Sequence, residues 1–209
     1  MPGRDQTAEI LEIKQRNAKF YGFRSGEMKS LLSRWLATAQ NNDSTPDFYL
    51  IRAVTILEVS ARQELALLID HGKAYTDRAV ELSKNFKMDF ATVRDIQGRA
   101  ITLGDIVAHS VPVNSFGKVL SHFEILLGKP LRPLLANAVD RWRIEIEGQP
   151  SAPIIGDFDT LACCLSRLFD IRHILCHELP EKPVYSVEEV TEFLGRALEF
   201  MKALGVCRS

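Results

Sequence analysis

Residues 158–180, FDTLACCLSRLFDIRHILCHELP, decide how the rest of the chain is read. Leu161, Leu165, Leu168 and Leu175 recur at three- and four-residue intervals, so they line one side of a helix. Ser166, Asp170, His173 and His177 follow at spacings of four, three and four, a second stripe confined to about 40° of the same helix. An apolar stripe opposed by a polar one is an amphipathic helix with one face buried. Asp157 or Asp159 supplies its N-cap, and Pro180 stops it. Arg172, His173 and His177 crowd into its last turns.

The pattern continues on both sides. After Pro180, Ser186 and Glu189 have the spacing of a capping box. They open a final helix with Val190, Phe193, Leu194, Ala197, Leu198 and Met201 on one face. Before residue 158, the Gly- and Pro-rich segment GQPSAPIIGD reads as a loop, and 131–147 as a helix with Leu134, Leu135, Ala138 and Trp142 turned inward. Shorter helices are expected at 74–86, at 102–110 and at 115–127, the last capped by Asn114 or Ser115.

Residues 46–71 make a long helix with Thr45 as its cap and Pro46 in the first position, where a missing N–H costs nothing. Leu50, Val54, Leu57, Ala61, Leu65 and Leu68 form its apolar side, and Gly72 ends it. Residues 6–40 are helix-rich, with a break expected near Gly22 and Gly26 because glycine weakens a helix interior. No segment carries the alternation of a strand. The expected fold is all-α, an up-and-down helical bundle with additional helices. It forms a single domain over 1–209: an N-terminal helical extension at 1–45, then a core at 46–209 with a mid-chain insertion around 87–147.

With 26 basic and 27 acidic side chains, the formal charge is −1, so no global attraction to nucleic acid or anionic membranes is expected. Phosphate binding would need a local cluster. No apolar run is long enough to span a bilayer, and MPGRDQTAEI lacks the apolar core of a signal peptide. The four cysteines have neither CxxC nor disulfide-framework spacing. They suit a reducing cytoplasm as small buried apolar residues.

Arg172 and His177 stand with four residues between them, and the polar His173 directly follows the arginine. In a straight helix Arg172 lies roughly 140° round from His177, so the two cannot readily share one phosphate within a single chain. Two facing copies of the helix remove that difficulty. An Arg-x4-His motif late in the chain, at the end of a long helix with a further helix behind it, resembles the HEPN superfamily. The resemblance covers about 158–205, with 46–71 as a possible earlier partner helix.

The resemblance implies a metal-independent endoribonuclease with no cofactor, acting as a homodimer whose motifs line the interface. Such proteins serve as toxins, defence factors or stress-response effectors, and can be held in check by an antitoxin or another partner protein. His177 would move protons to or from a ribose 2′-hydroxyl or the leaving oxygen, work suited to an imidazole. Arg172 would hold the scissile phosphate. His173 would orient the pair or carry a second proton, and a 2′,3′-cyclic phosphate would form. One branch of the superfamily has a Tyr two residues past the motif His that is modified by a partner enzyme. Leu179 stands there in this chain, so that regulation is not expected.

Asp170 lies on the stripe with the two histidines. Glu58 and Arg62, one turn apart on 46–71, read as a surface pair or as support for a phosphate-binding arginine. Three other readings compete with the nuclease. One is a catalytically inactive HEPN module binding RNA, a nucleotide or a protein. A second is a structural helical dimer whose Arg and His merely suit a helix C-terminus. The third is a zinc site on His173 and His177, but HILCH lacks the glutamate of a hydrolytic zinc helix. His109 and His122 have no partner at useful spacing and read as packing or surface residues.

Overall fold

The computed structural model describes residues 6–16, 24–39, 45–84, 93, 97, 101–140, 152–178 and 180–207. Among them are nine helices and no strand. These are α1 (Gln6–Arg16), α2 (Ser25–Ala39), α3 (Pro46–His71), α4 (Lys73–Leu82), α5 (Leu103–Ser110), α6 (Phe116–Leu127), α7 (Leu131–Ala136), α8 (Phe158–His177) and α9 (Val187–Cys207).

α3 is the hub, packing against α2, α4, α5, α6, α8 and α9. Its periodicity explains why: Leu50, Val54, Leu57, Ala61, Leu65 and Leu68 are all buried, and so are Ala53, Ile56 and Ile69 beside them. The apolar surface is therefore wider than a single stripe, and a helix apolar over most of its circumference must be wrapped. Leu161, Leu165 and Leu168 of α8 and Val190, Leu194 and Ala197 of α9 are fully buried in the same core. α2 adds Met28, Leu31 and Trp35. The Trp35 ring meets Tyr49 edge-on at 5.3 Å, and its Nε1 donates to Thr191 Oγ1 at 2.8 Å. A smaller cluster of Ile10, Ile101 and Ile106 lies under α1.

Capping chemistry sets several of the boundaries. Thr102 and Asp105 form a reciprocal capping box at the start of α5, as Ser186 and Glu189 do before α9. Ser115, not Asn114, caps α6. Asp157, not Asp159, caps α8, accepting from the Asp159 and Thr160 amides at 3.1 and 3.3 Å. Thr45 occupies the α3 N-cap without a side-chain hydrogen bond, leaving Pro46 to pre-set that end.

Two glycines are tied to close approach. A Cβ on Gly104 would lie 2.2 Å from the Ala66 carbonyl oxygen, and the Gly104 amide donates to Asp70 Oδ1 at 2.9 Å. α5 can lie this close to α3 only without a side chain there. Gly128 ends α6 in the left-handed region at φ 67°, with the Arg78 guanidinium against the face a Cβ would occupy.

Some expectations need correction. The helix expected over 131–147 ends at Ala136. The Asn137 side chain donates to the Pro133 carbonyl at 2.8 Å, and the Ile154 amide then takes the Ala138 carbonyl at 2.8 Å in an isolated antiparallel bridge. Long-range pairing within the chain wins over propensity at 137–140; residues 141–147, Trp142 among them, lie outside the described residues. α8 stops at His177, three residues before Pro180, with Glu178 as its C-cap. α1 and α2 are separate helices; Gly22 lies outside the described residues, whereas Gly26 is inside α2. Of the cysteines, Cys164 is buried and Cys207 half-buried, but Cys163 and Cys176 are exposed, and all four thiols are free. Cys163 stands three residues before Ser166 and so extends the polar stripe rather than the apolar one.

Candidate functional site

Several contacts anchor the end of α8. Arg167 Nε donates to Glu189 at 2.8 Å and its Nη2 to the Val184 carbonyl at 3.3 Å, pinning the α8–α9 connection. The Tyr185 hydroxyl donates to Asp47 in the first turn of α3. Burial first, and then Asp47 itself, push the Tyr185 hydroxyl well above the ordinary tyrosine range. At the other end, hydrogen bonds from Thr160 and from the Asp159 amide hold the Asp157 carboxyl below the usual carboxylate range.

On this scaffold Ser166, Asp170, His173 and His177 are all exposed, so the polar stripe faces solvent along its length. The His173 and His177 rings stand 4.8 Å apart, centre to centre, tilted by 45°. Arg172 faces elsewhere. Its side chain is 28% exposed and leans on α3, with Nη2 3.8 Å from Glu58 Oε2, and its Nε is buried without a hydrogen-bond partner among the described residues. The fold thus brings His173 to His177 and Arg172 to Glu58. Among the described residues no hydrogen bond or ion pair joins the arginine to either imidazole.

Glu58 sits between two guanidiniums. Burial raises its carboxyl above the usual range, and the positive charges of Arg172 and Arg62 only partly offset that effect. Arg62 is pulled toward α5, where Nη1 lies 3.4 Å from the carbonyl oxygens of both Ala108 and His109. Those are last-turn carbonyls, so Arg62 complements the negative end of α5. Burial lowers its guanidinium from the ordinary arginine value, opposed by Glu58 and Glu9. The line of polar contacts continues to His109 Nε2, 3.3 Å from Glu9 Oε2 on α1.

Glu58 and Arg62 were legible as support for an arginine, but the extension of this seam through α5 to α1 was not. Glu9 and His109 are a hundred residues apart in sequence, and Arg62 binds main-chain atoms, which leave no mark on residue type. His122 also has a structural partner. Its Nε2 must donate to the Pro112 carbonyl, 2.8 Å away, because a carbonyl can only accept.

Among the described residues no group of three or more His, Cys, Asp or Glu side chains is gathered to hold a metal ion, and no helix is long and apolar enough to cross a membrane. Comparison of the chain with known protein families, with curated proteins and with solved structures found no match.

Proposed function

We propose that this chain is one protomer of a metal-independent endoribonuclease of the HEPN type, needing no cofactor and acting as a homodimer on RNA in the cytoplasm. The observation that carries the reading is the pair of solvent-facing imidazoles at the end of α8, directly after a guanidinium anchored on α3. Exposed histidines cost nothing to fold, yet the fold gains little from them. A side-by-side imidazole pair, met by an arginine from a facing copy, is equipment for phosphodiester transfer.

In the proposed dimer the two α8 helices face each other, so that Arg172 of one copy approaches the imidazoles of the other. His177 takes the proton from the ribose 2′-hydroxyl. The 2′-oxygen attacks phosphorus, and the 5′-oxygen leaves with a proton delivered by the second imidazole, that of His173. A 2′,3′-cyclic phosphate and a free 5′-hydroxyl result. Arg172 offsets charge growing on the non-bridging oxygens. Glu58 positions Arg172, and Asp170 orients an imidazole from one turn away. Arg62 supports the site at one remove, by fixing α5 against α3. An effector of this kind, whether toxin, defence factor or stress responder, would be restrained by an antitoxin or other partner protein.

A second reading is favoured by one observation. Arg172 already has a carboxylate neighbour and a half-buried berth, which suits a catalytically inactive HEPN module that binds RNA, a nucleotide or a protein partner. One assay separates the two. The purified protein is incubated with RNA in EDTA beside Arg172→Ala and His177→Ala, and the new ends are mapped. Wild-type cutting with cyclic phosphate ends, lost in both variants, supports the nuclease. If all three leave the RNA equally intact, the nuclease reading fails, and cutting that EDTA alone abolishes rules out the metal-independent mechanism. Light scattering at low concentration reads the dimer; a strict monomer removes the composite site.

A further inference from the structure

The His173–His177 pair has a second property, independent of proton transfer. An ion about 2.1 Å from one nitrogen of each ring lies about 3.3 Å from each ring centre, so coordination angles of about 90–109° require centres about 4.6–5.4 Å apart. The observed separation is 4.8 Å. Both rings are exposed, so they are free to turn a nitrogen each toward a common point and the ion needs no entry path. The surroundings favour a cation. The pair sits at the negative end of the α8 dipole, Asp170 shares its stripe, and exposed Glu178 follows directly.

We propose that His173 and His177 form a two-point chelate for a divalent transition-metal ion of the zinc class, and that occupancy of this chelate switches off proton transfer at His177. Imidazole is a favoured ligand of such ions. The nitrogen lone pair that binds the ion is the one that would accept the ribose proton, so the two uses exclude each other. With only two protein ligands and water completing the shell, the ion exchanges readily, as suits a regulatory rather than a resident metal. The chelate stands on geometry alone; its inhibitory effect rests on the ribonuclease reading.

The test uses the full chain and Zn2+ alone, titrated by calorimetry. Saturable binding is expected. Each of His173→Ala and His177→Ala should weaken it by about 10²-fold or more, because the second of two linked ligands binds intramolecularly. Cys176→Ser controls for the exposed thiol between them and should bind like wild type. Unchanged binding in both histidine variants, no binding by wild type, or loss in Cys176→Ser overturns the chelate. RNA cleavage is then followed with and without Zn2+ at saturation, with EDTA added last. Slowed cutting restored by EDTA supports the switch. Cutting that continues unchanged with the pair occupied overturns the switch while the nuclease stands. No cutting in any arm overturns both the nuclease and the switch, and leaves the chelate to the calorimetry.

Discussion

Four of the five histidines fall into two groups that differ in what the fold asks of them. His109 on α5 lies against Glu9 of α1, and His122 on α6 holds the Pro112 carbonyl. The first joins elements a hundred residues apart, the second ties α6 to the connection just before it, and both are partly buried. Among the described residues, His173 and His177 on α8 meet each other and solvent. In the first group folding accounts for the residue type. In the second it accounts for little, since a cation in the last turn of an exposed helix contributes about 0.3–1 kcal/mol.

That contrast can be broken or sharpened by substitution. The largest expected effect is on activity: His177→Ala should slow RNA cleavage by about 10²–10⁴-fold while leaving the thermal unfolding midpoint nearly unchanged. A large fall in the midpoint would move His177 into the structural group. Next comes the packing that places the seam. Gly104→Ala drives a methyl group into the Ala66 carbonyl and should destabilise by about 1–3 kcal/mol in urea unfolding, outweighing the gain in helix propensity. His122→Ala should cost about 0.5–1.5 kcal/mol through the lost hydrogen bond with the cleavage rate unaltered, the mirror image of His177→Ala.

The smallest effect concerns Glu58. Its raised carboxyl means the folded state holds the proton more tightly than the unfolded chain. Its contribution is therefore fully present below the ordinary value of 4.5 and lost as pH rises through the raised value. Wild type should lose stability relative to Glu58→Gln as pH climbs from 4 toward neutrality, read from unfolding midpoints across that range. A difference independent of pH would remove Glu58 from the desolvated position assigned to it.

Much of the helical architecture was readable in advance, because each element carried its own local instructions. The three-and-four spacing of α3 and α8, the capping box at Ser186, and Pro46 all act within a few residues. The exposed stripe from Ser166 to His177, and its angular separation from Arg172, followed from helix periodicity. What escaped reading depends on contacts across the chain. The run after Ala136 has helical character, yet pairing of Val139 with Pro153 ends the helix. Arg62 read as half of a surface pair with Glu58 or as support for a phosphate-binding arginine; its further contact with the α5 carbonyls leaves no mark in the sequence. The central role of α3 was likewise underread, because burial around most of a helix shows only once its neighbours are in place.

The bond between Trp35 and Thr191 spans 156 residues. During synthesis, α2 emerges with Met28, Leu31 and Trp35 well before α9, one of the two described helices it packs against. Until then an oily helix waits beside the ribosome, a state open to chaperones and to wrong associations. Closure of the core around Trp35 is thus deferred until α9 has been translated.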